Sequence, residues 1–369
     1  MDFHKRIKVL RESFAAQRVD AVLITNLKNI FYLSNFDGST AAILLTEDRN
    51  LFLTDFRYYG KFETQVSDGY ELVPFYNESL GKKIGDLARA NGIKRLGFES
   101  ENLTHAQATE LEDKAGVELV PTTGLVEKQR LIKSAEEVEA IKRAVALKES
   151  AFSEVCKQIK EGVTEAELAA EFEYRIRKKG AQRASFSPIV AFGPNSAMPH
   201  AGFTNQQLIP GMPLTFDLGV ELDGYCSDMT RTIFFGGVSP GWERIYNIVR
   251  EAKAAAAESA RPGMKCAEVD KIARSIVEGE GYGKYKAEDG TERDYFGHGL
   301  GHGVGLEVHE APRLNAVSKD VLKPGMVVTI EPGIYLPGQG GIRIEDLYLV
   351  GKERLNNLNS VTSSLQVIP

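Results

Sequence analysis

One stretch of the sequence occurs twice, and this duplication restricts the fold more than any other feature of the chain. The two copies are LIPGMPLTFDLGVELDGYCSD at 208–228 and LKPGMVVTIEPGIYLPGQGGIRIED at 322–346. The match places Asp217 opposite Glu331, and it places Asp228 close to Glu345. Four carboxylates that an internal two-fold brings to one point would repel one another strongly unless cations lay between them. The duplication therefore predicts a site for two metal ions.

The helices that precede each copy are also repeated. Ser134 with Glu137 forms a capping box, in which the two side chains satisfy backbone N–H groups at the start of a helix, and Thr164 with Glu167 forms another. The stretch EGVTEAEL, which contains the second box, returns later as PGMKCAEV. Residues from about 134 to the end therefore form two related halves with one copy each, which indicates pseudo-symmetry rather than a solenoid.

Residues 1–125 follow a different pattern. Short apolar runs such as DAVLIT, AAILLT and NLFLT alternate with amphipathic stretches, and this alternation predicts an α/β domain. The stretch VEKQRLIK at 126–133 is predicted to be a linker. Because 369 residues exceed the usual size of a single core, we expect two domains, 1–125 and 134–369.

The composition excludes several classes of partner. A net charge of −6 and a pI near 5.7 argue against nucleic acid or an anionic membrane as a partner, so small substrates fit better. The three cysteines form no CxxC pair, which indicates a reducing compartment without disulfides or a structural zinc. No signal-peptide cleavage site and no run of about eighteen apolar residues is present, so we expect no membrane span and a cytoplasmic location.

The acidic residues of the two copies lie on polar faces of predicted strands. In LTFDLGV the alternation of side chains puts Asp217 on the face opposite Phe216, and VVTIEPG gives Glu331 the same relation to its apolar neighbours. In GIRIEDL, Arg343 and Glu345 share a face. A lone acidic residue in a strand usually faces solvent, but four of them in matched positions favour a shared site.

A glycine-rich stretch, FGHGLGHGVGLEVHE, holds three of the six histidines of the chain. They are His298, His302 and His309, and the glycines between them allow backbone and ligand to approach closely. We expect one of the three to be a nitrogen ligand. Four carboxylates and one imidazole make an oxygen-rich site, which favours Mn²⁺, Fe²⁺ or Co²⁺ over a zinc site rich in thiolate or histidine, although Zn²⁺ stays open.

These residues carry a resemblance to a known family. The order Asp217, Asp228, His302, Glu331 and Glu345, within the contexts YCSDMTRT and HGLGHGVGLEVHE, resembles the pita-bread metallopeptidases, which include prolidase, aminopeptidase P and methionine aminopeptidase. The resemblance covers 134–369, and the preceding part is similar to the creatinase-type domain of prolidases and aminopeptidases P. It implies an α+β pita-bread domain with an internal pseudo-two-fold, preceded by a creatinase-type α/β domain.

The resemblance also implies a metal chemistry. The five residues would hold two divalent ions, Mn²⁺ or Co²⁺ in the first instance and Fe²⁺ or Zn²⁺ as alternatives, with His302 and Glu331 completing one of the two sites. A hydroxide bridging the ions would attack the scissile carbonyl. Glu331 is the candidate to take the proton of the water and to pass it to the leaving nitrogen.

Three histidines have implied roles outside the ligand set. His200, in AMPHAGF, and His309 match positions that are expected to hydrogen-bond the substrate and the tetrahedral intermediate. His298 is predicted either to order the glycine-rich turn or to line the pocket for the amino-terminal part of the substrate.

Two arginines and one tyrosine complete the candidate site. Arg343 lies two residues before Glu345, so we expect it to brace a ligand, whereas Arg313 could grip a substrate carboxylate with two parallel hydrogen bonds. Tyr335 could steady the metal cluster through its hydroxyl.

The extra N-terminal domain separates the candidate activities. A minimal methionine aminopeptidase is the catalytic half alone, so the domain at 1–125 favours an enzyme that acts on peptides with proline at the second position, and it implies a homodimer. We predict an Xaa-Pro dipeptidase, with an Xaa-Pro aminopeptidase as the alternative. A metal-free binding module or a creatinase-type hydrolase is less favoured because the chain keeps all five ligands.

Overall fold

The computed structural model describes residues 1–287 and 289–369. The chain divides into two compact units, Met1–Arg130 and Leu131–Pro369. The point of division lies within the predicted linker at 126–133.

The first unit is built around one sheet of six strands. The strands are β1 (Ala21–Ile24), β2 (Ala42–Thr46), β3 (Asn50–Thr54), β4 (Glu71–Pro74), β5 (Arg95–Glu99) and β6 (Glu118–Thr122). They lie in the order β4-β3-β2-β1-β5-β6, with parallel pairs at β3-β4, β1-β5 and β5-β6. Every residue of β1 is fully buried, as expected for a continuous apolar strand with both faces covered.

Helices alternate with these strands, as the sequence predicts for an α/β domain. They are α1 (Phe3–Glu12), α2 (Phe14–Gln17), α3 (Leu27–Ser34), α4 (Tyr59–Gln65), α5 (Leu80–Asn91), α6 (His105–Ala115) and α7 (Glu127–Arg130). A 3-10 turn spans Phe56–Tyr58.

The second unit begins with the predicted helices. The first half contains α8 (Ala135–Cys156) and α9 (Glu165–Lys178), and the second half contains α10 (Pro240–Ser259) and α11 (Cys266–Gly279). Both predicted capping boxes are confirmed, at Ser134 with Glu137 and at Thr164 with Glu167. No helix in the described part of the chain combines the length and the apolar character that a membrane crossing requires.

The strands of the second unit repeat one plan. The first half contains β7 (Arg183–Ala184), β8 (Ile189–Phe192), β9 (Pro213–Leu218), β10 (Val220–Leu222), β11 (Tyr225–Cys226) and β12 (Met229–Phe235). The second half contains β13 (Lys284–Lys286), β14 (Glu292–Asp294), β15 (Gly301–Gly303), β16 (Glu310–Leu314), β17 (Val327–Ile330), β18 (Gly333–Leu336), β19 (Gly340–Arg343), β20 (Asp346–Val350), β21 (Leu355–Asn357) and β22 (Val367–Ile368).

In each half a strand runs into a short hairpin and returns antiparallel to itself. The first half does this with β9, the hairpin β10-β11 and β12, and the second half does it with β17, the hairpin β18-β19 and β20. Each half also has its own cluster of buried apolar side chains. The duplication read from the sequence is therefore a duplication of architecture, and it places the acidic residues at the ends of corresponding strands.

Candidate metal centre

All predicted site residues except Tyr335 line one cavity of about 520 Å³ in the second unit. The antiparallel pairs bring the carboxylates there. Asp217 lies on β9 opposite Thr230 of β12, and Asp228 precedes β12 directly. Glu331 follows β17 and Glu345 precedes β20, so the second pair delivers its two carboxylates in the same way. Local strand pairing therefore accounts for both acidic pairs.

Three of the five predicted ligands form a tight group. One ligand atom from each of Asp228, His302 and Glu345 lies within 4.8 Å of the other two, and all three side chains are buried. Glu331 joins this group through His302, because its Oε1 lies 3.4 Å from the Nε2 of that ring. Asp217 lines the same cavity, and its Oδ2 accepts a hydrogen bond of 2.7 Å from Nη2 of Arg343.

Several carboxylate oxygens of this group have no partner in the protein. Oδ1 of Asp217, Oδ1 of Asp228 and Oε1 of Glu345 are buried, and no described residue donates a hydrogen bond to them. A buried acceptor without a partner costs about 1–3 kcal/mol, and a charged one costs more. Coordination to a cation would satisfy all three oxygens, and oxygen donors with one imidazole suit a divalent ion. The residues present therefore fit a metal site.

The imidazole of His302 is oriented as a ligand. Its Nδ1 lies 3.1 Å from the carbonyl oxygen of Gly303, and because a carbonyl can only accept, the proton is on Nδ1. The Nε2 lone pair then faces Asp228 and Glu331. Burial lowers the pKa of His302 to about 3, so the ring is neutral, as ligation requires.

The acidic group retains protons when no metal is bound. Burial, and then repulsion from neighbouring carboxylates, raises the pKa of Asp228 and of Glu331 well above the usual range. Burial and the charge of Asp217 raise the pKa of Glu345 to about 8. A cation that binds these oxygens has to displace the protons.

Comparisons with known proteins agree with this geometry. Residues 139–352 match the model of metallopeptidase family M24, and residues 6–132 match the creatinase/prolidase N-terminal domain. The chain belongs to metallopeptidase family M24. The predicted fold class is thereby confirmed, with a creatinase-type α/β domain followed by an α+β pita-bread domain.

Individual M24 proteins are similar over nearly the whole chain. An Xaa-Pro dipeptidase from Pyrococcus horikoshii is 36% identical over 98% of this chain and 99% of its own length. The solved structure of an Xaa-Pro dipeptidase from Bacillus anthracis has a TM-score of 0.93 at 38% identity and covers 100% of both chains. That of an X-Pro aminopeptidase from Thermotoga maritima has a TM-score of 0.87 at 32% identity and covers 97% of this chain and 100% of that chain.

In this M24 protein a series of hydrogen bonds connects Asp217 to His298 in the glycine-rich stretch. Arg343 donates from Nη2 to Asp217 and from Nη1 to the hydroxyl oxygen of Tyr335, over 2.7 Å in each case. Nδ1 of His298 donates to the carbonyl of Gly299, so its Nε2 accepts from the Tyr335 hydroxyl at 2.8 Å. Both ring nitrogens of His298 are therefore engaged, and the geometry favours the turn-ordering role over the substrate-contact role.

Two imidazole side chains and one guanidinium also line the cavity. They belong to His200, His309 and Arg313, and the ring of His309 packs edge-on against His302 with centroids 4.4 Å apart. Burial and then the charge of Arg313 lower the pKa of His309. No described residue forms a hydrogen bond or ion pair with the Arg313 guanidinium, so it is free to bind a ligand.

Sequence reasoning missed three side chains that support this M24 centre. Thr230 donates from Oγ1 to Oε2 of Glu345 over 2.8 Å, and the Oγ1 of Thr329 accepts from the backbone N–H of His302. Nζ of Lys148 donates to the carbonyl oxygen of Asp228 over 2.9 Å. A lysine within the apolar stripe of α8 is a signal that could have identified Lys148.

Proposed function

We propose that this chain is an Xaa-Pro dipeptidase that works with two divalent metal ions, Mn²⁺ or Co²⁺. The observation that carries the proposal is the buried group of Asp228, His302 and Glu345, whose unpartnered carboxylate oxygens a cation would satisfy. The similarity over full length to dipeptidases from Pyrococcus horikoshii and Bacillus anthracis supports the substrate class.

The metal ligands are Asp217, Asp228, His302, Glu331 and Glu345. The chemistry that two divalent ions supply when bound is polarisation of the scissile carbonyl and activation of a water molecule. The chain contributes a neutral imidazole through His302, because Gly303 holds the proton on the opposite nitrogen. Arg343 holds one oxygen of Asp217 and leaves the other oriented for coordination.

Proton transfer and charge stabilisation come from neighbouring side chains. Glu331 is the carboxylate that would accept the proton of the attacking water and deliver it to the proline nitrogen, because it lines the cavity beside His302. His200 and His309 line the cavity and hydrogen-bond the substrate carbonyl oxygen as negative charge develops there.

Arg313 selects the substrate by its length. Its free guanidinium can form two parallel hydrogen bonds with a carboxylate, and in a dipeptide the carboxylate belongs to the proline itself. A longer peptide has an amide at that position and forfeits one charged pair. Phe186, Pro188 and Ile189 also line the cavity, and their apolar side chains would contact the uncharged parts of the substrate.

The test is hydrolysis of Ala-Pro beside Ala-Pro-Ala by the Mn²⁺-loaded protein, with release of alanine and proline quantified. We expect cleavage of the dipeptide and little cleavage of the tripeptide. Preference for the tripeptide would instead identify an Xaa-Pro aminopeptidase, the activity of the similar protein from Thermotoga maritima. If neither peptide is cleaved although the protein is shown to contain bound Mn²⁺, both activities are contradicted and a binding role is favoured.

Two further predictions belong to this proposal. We expect a homodimer. Sedimentation of the purified protein tests this, and a monomer at all concentrations would contradict it. We also expect a cytoplasmic location, which fractionation of the source cells tests.

A further inference from the structure

Each half of the second unit buries one lysine in its first helix. Lys148 on α8 and Lys253 on α10 stand the same number of residues after the N-cap serines Ser134 and Ser239. Their exposed fractions are 0% and 4%. An ammonium in such a place requires compensating charge or hydrogen bonds. The two lysines find this compensation in different ways.

Lys253 has a carboxylate of its own. Its Nζ forms a buried ion pair with Asp346, and Arg231 binds the other oxygen of the same carboxylate at 2.6 Å. Lys148 instead donates to the backbone carbonyl of Asp228. Among the described residues, no carboxylate oxygen lies within ion-pair distance of the Lys148 Nζ.

The charged groups that act most strongly on Lys148 are Glu149, then Asp228 and Glu345 of the acidic group and the Arg231 guanidinium, which is itself paired with Asp346. The oxygens of Glu149 accept hydrogen bonds from Asn359, Ser360 and the backbone of Val361, so this carboxylate is already committed. The carbonyl that Lys148 contacts belongs to a predicted ligand, so the ammonium lies directly behind the acidic group. Its positive charge attracts these carboxylates across a buried region, where screening by water is weak.

The same charge acts oppositely on the two states of the centre. It stabilises the negative charge that the metal-free cluster keeps after its buried carboxyls have taken up protons. The Lys148 charge repels divalent ions, and its attraction to the carboxylates is small once those ions have neutralised them. By thermodynamic linkage, a charge that favours the metal-free state over the loaded state must weaken metal binding.

We propose that Lys148 is a positioning residue that acts, beside the Arg343 paired with Asp217, as a second internal counter-ion of the metal-free cluster. Lys148 holds the Asp228 peptide in place and stabilises the metal-free arrangement of the carboxylates. Because it favours the metal-free state, it lowers the affinity of the site for the ions. This inference rests on the proposed metal-dependent function.

Two substitutions separate the charge from the hydrogen bond. Lys148→Met keeps the length of the side chain and removes both, whereas Lys148→Gln removes the charge and keeps an N–H donor. Lys142→Met is the matched control, because Lys142 lies on the same helix with 46% of its side chain exposed. Mn²⁺ affinity is measured by competition with a fluorescent chelator, and urea unfolding is measured for the metal-free and Mn²⁺-loaded proteins.

We expect both variants at position 148 to bind Mn²⁺ about tenfold more tightly than wild type, while their metal-free forms unfold at lower urea concentration. The Lys142 variant should match wild type in both measurements. If metal-free Lys148→Met does not fold, release of Mn²⁺ from the loaded variant to excess chelator replaces the affinity measurement, and it should be about tenfold slower than in wild type.

A purely structural role predicts a different pattern. It would lower stability equally with and without Mn²⁺ and leave the affinity unchanged or weaker, and that result in both variants would overturn the inference. Tighter binding in Lys148→Met alone would also overturn it, because the charge is absent from both variants. Wild-type protein that binds no Mn²⁺ would contradict the proposed function itself and is distinguishable from these outcomes.

Discussion

The two halves of the second unit have the same strand plan and supply different chemistry. In the first half, β9 pairs with β8 on the edge away from β12, and β8 places Ile189 opposite Asp217. On the second half, the strand that pairs with β17 is β15, which carries His302. Duplication therefore provides the carboxylates twice, whereas the imidazole ligand and Arg313 come from the second half alone. In the proposed function, the repeated strands supply the four carboxylate ligands, and the second half adds the imidazole ligand and the arginine for the substrate carboxylate.

The strongest test of shared function removes one ligand from each half. Asp228→Asn and Glu345→Gln should each lower kcat/KM for Ala-Pro on the order of 10³-fold or more, because both carboxylates serve one centre. Metal content by mass spectrometry should fall in both. Asp223→Asn, an exposed residue of the first-half hairpin, is the control. Wild-type activity in either ligand variant would mean that one half is sufficient.

The pH dependence of stability tests whether both halves hold protons in the metal-free state. The folded pKa values of Asp228, Glu331 and Glu345 lie above those of the unfolded chain, so the stability from these groups is present at low pH and is lost as pH rises. Between about pH 7.5 and 8, where unfolded histidines are almost fully deprotonated, metal-free protein should lose about 1.4 kcal/mol per pH unit for each carboxyl that stays protonated.

Urea unfolding of metal-free protein across that range gives the measurement. Stabilisation by added Mn²⁺ should follow the opposite trend and increase with pH, because bound metal displaces protons. Stability of the metal-free protein that is constant or rises between about pH 7.5 and 8 would contradict the raised pKa values of the acidic group.

Arg313 tests the chemistry that only the second half supplies. Arg313→Ala should raise the KM for Ala-Pro about 10- to 100-fold, as expected for loss of a charge-assisted pair, and should reduce the preference over Ala-Pro-Ala. Arg244→Ala, which removes an exposed arginine paired with Glu280, is the control. An unchanged ratio of dipeptide to tripeptide cleavage would remove Arg313 from substrate selection.

Tyr335 tests the hydrogen-bond chain that joins the second-half hairpin to Asp217 of the first half. Tyr335→Phe removes the hydroxyl that contacts both Arg343 and His298, and it should lower the free energy of unfolding by about 1–3 kcal/mol. The measurement is urea unfolding of the loaded protein. Tyr76→Phe, which alters an exposed ring of the first unit, should leave stability unchanged.

Much of this architecture could be predicted from the sequence because it depends on local pattern. The strand alternation around Asp217 and Glu331 and the capping boxes at Ser134 and Thr164 involve residues a few positions apart. The acidic pairs followed from the repeat itself.

The supporting contacts could not be predicted because they join distant segments. Lys148 meets Asp228, and Thr230 meets Glu345, across long stretches of chain that only the folded structure brings together. The same holds for His298, whose role depends on the Tyr335 hydroxyl that occupies its second nitrogen. Such partners depend on tertiary packing and leave little trace in local spacing.

Titration of the metal-free protein with Mn²⁺ tests the central claim most directly. Bound metal and Ala-Pro hydrolysis are followed in the same samples. The account predicts saturation at two equivalents per chain, with full activity only when both are bound and with complete loss on chelation. Saturation at one equivalent, or hydrolysis that persists in the presence of a chelator, would contradict the proposed two-metal centre.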